Sequence, residues 1–222
     1  MELVRFIVCG FSLLVAASCG NSVSTTVECE ECAHHGTECV SGGCGAESSC
    51  RNNDANAVVE NIMSRRSIRN YKKQSVERAV VEEIMKCGIN APNGQNKQSW
   101  EVRVVDNPAF MAEIKEAMAQ GHPDMDPEMV KGCFRGAPTM VFIARAKSYD
   151  FSAYDCGLMA ENMMLSAWSM GVGSICLGSP VRFLTDNEAC LPVLEKLGFS
   201  EDYELCLCVG FGYADEYGRI YS

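Results

Sequence analysis

The run with the densest capacity for chemistry is Arg65-Arg66-Ser67-Ile68-Arg69-Asn70-Tyr71-Lys72-Lys73, which packs five cations into nine positions of a chain whose formal net charge is -10. Arg forks and a Ser hydroxyl that converge on one point donate charge-assisted hydrogen bonds, the chemistry that holds a phosphate. A solvated, charged helix end is the alternative reading of the same run. A second concentration is Ala91-Pro92-Asn93-Gly94-Gln95-Asn96-Lys97-Gln98-Ser99-Trp100. Amides beside a Trp can ladder hydrogen bonds onto a flat heteroaromatic ligand, or they can simply close a surface turn. The third is Gly171-Val172-Gly173 followed by Cys176-Leu177-Gly178-Ser179, a strand start and a turn that exposes backbone. Cys176 there is either a small packing residue or a chemically active thiol. No GxGxxG fingerprint for a dinucleotide accompanies these segments.

Periodicity indicates the elements that must position these groups. Val58, Val59, Ile62 and Met63 recur on one helical face ahead of the basic run. Ser75 is placed to cap a second helix, with Ala79, Val80, Ile84 and Met85 inward and Cys87-Gly88 at its end. Glu101 to Val105 alternates like a half-buried strand, and Pro108 to Ala119 is an amphipathic helix. Pro123, Pro127 and Gly132 interrupt helix formation between Gly121 and Pro138. Thr139 to Ala144 is a continuous apolar strand of the kind buried on both faces. Ser152 to Met170 is a helix apolar nearly all round, as expected in a core. Leu191 to Leu197 forms a short helix and Leu205 to Gly210 a last buried strand.

A chain of 222 residues suffices for one well-cored domain, and 47% hydrophobic with 22% charged residues excludes global disorder, collagen and a polytopic membrane protein. The acidic balance excludes nucleic acid as a partner and confines any bound anion to a local basic pocket. The folded unit is assigned to residues 57–222. Ahead of it, Phe6 to Ala17 is an apolar run too short to span a bilayer, for which a helix needs roughly 20 residues, but it matches the core of a secretory signal. It ends in Val15-Ala16-Ala17-Ser18-Cys19, which resembles the lipobox of bacterial lipoproteins. That predicts a signal peptide over 1–18, lipidation of Cys19, and an exported, membrane-anchored protein. The chain is cytoplasmic if the leader is not processed, and a buried N-terminal strand is the alternative reading. Residues 19–56 form an acidic tether in which Glu28, Glu30, Glu31, Glu38, Glu47 and Asp54 face Arg51 alone. Cys29, Cys32, Cys39, Cys44 and Cys50, with His34 and His35, could form disulfides, bind a metal or iron-sulfur cluster, or act as redox thiols; neither zinc-finger nor ferredoxin spacing is matched.

In order along the chain, four motifs together resemble the FMN-dependent nitroreductase family over residues 57–219. These are Arg65-Arg66-Ser67-x-Arg69 after a helix, Ala91-Pro92-x-Gly94-x-Asn96-x-Gln98-x-Trp100 before a strand, Gly171-x-Gly173 with Gly178 after the long helix, and Gly210-x-Gly212-Tyr213 with Arg219. The resemblance implies a three-layer α+β fold, a central and mostly antiparallel sheet flanked by helices, in an interlocked homodimer that binds FMN at its interface. It implies that Arg65, Arg66, Ser67 and Arg69 grip the phosphate and ribityl chain, with Arg219 closing from the C-terminal side. By the same resemblance Pro92, Asn93, Gly94 and Asn96 reach the flavin from the other subunit. Cys176, Leu177, Gly178 and Ser179 present backbone to the isoalloxazine, and Asp155 lies close to the ring. Asn93 stands where the family has Ser, and Ser99 where it has Pro before the Trp.

The implied activity is transfer of two electrons from NAD(P)H or another donor to a nitroaromatic, quinone or similar acceptor. It needs no side-chain nucleophile, because the flavin carries the chemistry. Two alternatives stand beside it: a membrane-tethered flavin carrier or sensor without turnover, and a flavin-dependent reductive dehalogenase. Export would separate the protein from NAD(P)H and would require a redox partner outside the cytoplasmic membrane.

Overall fold

The computed structural model describes residues 56–215. The proposed leader, Cys19, the cysteine-rich tether to residue 55 and Arg219 lie outside the described residues. Eleven elements follow one another: α1 Ala57–Ser64, α2 Arg78–Ile89, β1 Trp100–Val105, α3 Pro108–Gly121, α4 Pro127–Lys131, β2 Thr139–Ala146, α5 Ser152–Ser169, β3 Gly173–Leu177, α6 Ser179–Thr185, α7 Leu191–Leu197 and β4 Tyr203–Gly212. The four strands make one sheet in the order β1-β2-β4-β3, antiparallel at every joint.

Helices cover both faces, which is why β2 is apolar without alternation. Val141 and Ile143 point into a core shared with α2 and α5, where Ile84, Met159 and Met163 are buried. Met140 and Phe142 point the other way, into a core with α3, α6 and α7 that contains Ile114, Met118, Leu184 and Leu197. The expected three-layer α+β arrangement is therefore present.

Local signals place most element ends. The Asn56 carboxamide accepts from the Val58 and Val59 amides to start α1, and Asn107 does the same for α3 ahead of Pro108. Gly198, at φ 67°, closes α7 in the left-handed conformation that favours glycine.

Several expectations are corrected. Ser75 caps nothing: α2 starts after Glu77, and Val81 faces inward where Ala79 was expected. Gly88 does not end that helix but lies inside it, against Met163 of α5. Pro127 begins a helix in place of breaking one, because the first helical position has no need of an N–H. β1 is buried almost throughout, and its alternation is only apparent. Arg103 lies inside because its guanidinium donates to the carbonyls of Leu197 (3.0 Å) and Gly198 (2.6 Å) at the end of α7, pairs with Glu101 at 2.8 Å, and stacks on Phe199. In the single chain α5 is buried on one side only, with Tyr154 70% and Leu158 45% exposed.

Two glycines set how the basic segment meets the sheet. A Cβ at Gly212 would lie 2.6 Å from Pro138 Cδ and 2.8 Å from a Tyr71 ring carbon, and one at Gly173 would lie 2.7 Å from Ile68 Cγ1. Gly212→Ala should lower stability by about 1–3 kcal/mol, the usual range for an overpacked contact between rings that cannot yield. The check is a denaturant midpoint that falls at unchanged m-value; an unchanged midpoint refutes the packing account.

Candidate functional site

The segment after α1 is docked by its backbone, and this fixes where its cations lie. Ile68 donates its amide to the Ser174 carbonyl (2.9 Å), Lys72 to that of Tyr213 (2.8 Å), and Asp215 returns a bond to Asn70 (3.1 Å). Ile68 itself is buried. Arg65 is thereby set beside α5, its Nε 3.8 Å from Glu161, and close enough to Cys176 for their charges to interact. Arg66 turns back, one guanidinium nitrogen donating to the carbonyls of Met63 (2.7 Å) and Arg65 (2.8 Å) at the end of α1, where cations are favoured. Arg69 bonds the Ser67 carbonyl at 3.2 Å. Of the basic run, then, Arg65 is the residue brought to the end of β3.

Cys176 is the exposed residue of β3, opposite Val209. Burial of part of the thiol pushes its pKa up and the Glu161 carboxylate adds to this, while Arg65 opposes. The thiol therefore stays protonated near neutral pH, and it is not an activated nucleophile. Leu177 is buried in the core shared with α3, α6 and α7, and the chain then turns through Gly178 into α6 at Ser179.

The amide-rich loop is held by a different device. Gln95, Asn96 and Gln98 all have positive φ, at 55°, 53° and 47°. Such conformations cost non-glycine residues free energy and persist where the surroundings over-determine them. The over-determination comes from Asp155 in the first turn of α5, which is 3% exposed. One carboxylate oxygen accepts from the Gly94 amide (3.0 Å) and the other from the Ser99 hydroxyl (2.8 Å). Asn93 Oδ1 accepts from the Gln98 amide at 2.9 Å, closing the loop on itself. Both departures from the family pattern acquire a reason here. Ser99 supplies a hydroxyl that Pro cannot, and Asn93 presents its acceptor oxygen one bond further from the backbone than Ser would, where it meets the Gln98 amide. A Cβ at Gly94 would fall 1.9 Å from the Tyr149 hydroxyl, so a side chain there would have to displace that ring. Lys97 sits over the Tyr149 ring at 4.4 Å.

Asp155, expected close to a flavin ring, thus has both oxygens engaged by its own chain's loop. The signal for that role was Ser99 immediately before the Trp, a donor where a rigid ring is usual. Asp155 lies at the start of α5, and Glu161, which marks the Arg65 end, is six residues on, roughly 9 Å at 1.5 Å per residue.

The model of the nitroreductase family matches residues 62–213. A protein of Archaeoglobus fulgidus carried under the provisional name NADH dehydrogenase/NAD(P)H nitroreductase is 29% identical over 165 residues, covering 72% of this chain and 87% of that one. Two solved structures superpose with a TM-score of 0.68 at 26% identity, covering 76% of this chain and 94% of theirs. They are nitroreductases with bound FMN, one from Bacteroides fragilis and one from Desulfitobacterium hafniense.

Asp155→Ala should strip the Gly94 amide and the Ser99 hydroxyl of their acceptor and lower stability by about 1–3 kcal/mol, the cost of leaving buried donors unpaired. Adding Ser99→Ala should then cost much less than it does in the parent protein, a coupling that a double-mutant cycle of unfolding free energies reads directly. Additive losses would mean that the carboxylate does not hold the loop.

Proposed function

Because the chain belongs to the nitroreductase family, we propose that it is an FMN-dependent oxidoreductase acting as a homodimer. On this reading it moves two electrons from a reduced nicotinamide or comparable donor to a nitroaromatic, a quinone or a similar electron-poor acceptor. The observation that carries the reading is the docking of the basic segment on Ser174, which sets Arg65 at the end of β3.

The residues present suit FMN. Arg65 is only loosely paired, at 3.8 Å from Glu161, so its guanidinium can turn to a phosphate. Ser67, Arg66 and Arg69 share its segment, and Arg219 is assigned to the same phosphate from the C-terminal side. Gly178 presents open backbone, since a Cβ there would meet nothing within 4 Å. FMN, when bound, supplies the chemistry: it takes up a hydride equivalent and passes two electrons to an oxidant. The chain's own groups do the rest. The backbone from Cys176 to Ser179 lines the ring, and the protonated Cys176 thiol adds no negative charge beside it. Pro92, Asn93, Gly94 and Asn96 approach from the partner subunit and exclude water from the reacting face.

A homodimer is supported by apolar side chains that a single chain leaves uncovered. Val58 is 67% exposed and Met63 70%, on the α1 that leads into the basic segment, and Tyr154 and Leu158 are exposed on α5. Anchoring through Cys19 is the part of the proposal that rests on sequence alone, and with it the donor would have to be one available outside the cytoplasmic membrane.

Arg65→Ala combined with Arg219→Ala should weaken FMN binding at least about tenfold, since each charge-assisted hydrogen bond contributes roughly 1.5–3 kcal/mol. Flavin absorbance after gel filtration measures it. Full, tightly held FMN in the double variant would refute the phosphate assignment.

A further inference from the structure

β4 carries an irregularity that the flavin reading does not use. Ile143 pairs with Leu207 and Ala144 with Leu205, so Cys206 is the extra residue of a β-bulge. Such bulges re-aim a side chain. Here Leu205 and Cys208 face the core shared with α3, α6 and α7, whereas Cys206 and Leu207 both pack toward the α5 side. On that side Cys156 of α5 is fully buried, its Sγ donating to the Ala144 carbonyl at 3.8 Å, opposite the bulge. The Cys156 thiol is also close enough to Cys206 to interact with it, so its single proton can turn either to the Ala144 carbonyl or to the Cys206 sulfur. A strand defect and a helix face thus bring two cysteines 50 positions apart to the same side of the sheet as interacting neighbours, each of them a free thiol in this structure.

We propose that Cys156 and Cys206 are a redox pair that closes to a reversible disulfide when the protein meets a peroxide. Cys206 is the attacking sulfur. The hydrogen bond from Cys156 lowers its pKa to about 7 and Arg145 on β2 contributes, against burial and Glu204 on β4, while the same hydrogen bond and burial push Cys156 up. The remaining titratable neighbours are Asp155 and Tyr203, which interact with Cys156, and Cys176 and Cys208, which interact with Cys206. The Cys206 thiolate attacks one peroxide oxygen: an S–O bond forms, the O–O bond breaks, and the leaving oxygen departs as water or an alcohol with a proton. The Cys156 sulfur then attacks the sulfenic sulfur, forming S–S and breaking S–O, and its proton leaves with a second water. Two thiols are oxidised by two electrons and the peroxide is reduced by two. The bond would tie the start of α5, whose Asp155 holds the 94–99 loop, to β4.

The test uses the purified full-length chain with hydrogen peroxide at low molar excess, alkylation under denaturing conditions and peptide mass mapping. A peptide pair linking Cys156 to Cys206, two hydrogens lighter and reopened by dithiothreitol, is the expected product, absent from Cys156→Ser and from Cys206→Ser. Native alkylation of Cys206 should rise with pH through about 7 and level off above it, because a lowered pKa makes thiolate available at neutral pH. In Cys156→Ala that midpoint should move up toward the ordinary thiol value near 8.5. No link between the two positions after peroxide treatment, or a Cys206 midpoint that Cys156→Ala leaves in place, overturns the proposal. Neither readout depends on FMN, so its failure would leave the flavin reading untouched.

Discussion

One buried carboxylate determines whether the loop ahead of β1 holds its observed form. Gln95, Asn96 and Gln98 each adopt a backbone conformation that costs a non-glycine residue on the order of 1 kcal/mol or more. Loops of this kind relax unless something outside them fixes both ends. Asp155 does so, one oxygen on the Gly94 amide and the other on the Ser99 hydroxyl. It can act as an anchor because α5 is itself packed on the sheet through Met159, Met163 and Ala167, all fully buried. The chain of cause runs from a well-packed helix, through one acidic residue in its first turn, to a loop that offers amides outward.

The other half of the candidate site depends on close approach and not on charge. Glycine at 173 and at 212 lets the segment carrying the cations lie directly against the end of the sheet. Backbone pairing to Ser174 and Tyr213 then fixes it. The cations are oriented as a consequence, with Arg66 folded onto the carbonyls that end α1 and Arg65 left toward Cys176. Apolar side chains of α1 and α5 stand uncovered in the single chain, in keeping with the proposed homodimer.

Much of this was legible beforehand where one physical effect dominates. β2 reads as buried on both faces because nothing polar interrupts Thr139 to Ala144, and Leu191 to Leu197 is bounded by a proline in its first turn and a left-handed glycine. The four motifs were visible in order because each depends on glycine, arginine or amide chemistry that few other residues can replace. What escaped reading depends on partners distant in sequence. Arg103 looked like the polar side of a strand, yet the carbonyl end of α7 and Glu101 make its burial tolerable. Ser75 looked like a cap, but Val76 is drawn into the core and the helix starts only after Glu77. The α5 surface looked like core because its apolar residues run all round, whereas a single chain covers only the side against the sheet. The turn of Cys206 toward α5 comes from a bulge, which leaves no periodic trace.

Under the proposed function, each flavin site takes its phosphate grip from one chain and its Asp155-held loop from the other. Co-expression of two differently tagged chains tests it most directly, one carrying Arg65→Ala with Arg219→Ala and the other Asp155→Ala, with the mixed dimer isolated by sequential affinity steps. In the mixed dimer one site combines both defects and the other is intact. The account predicts about one tightly bound FMN per mixed dimer, while either homodimer of variants retains much less. A mixed dimer as poor in flavin as its parents would show that grip and loop serve the same site from the same chain, and would contradict the account.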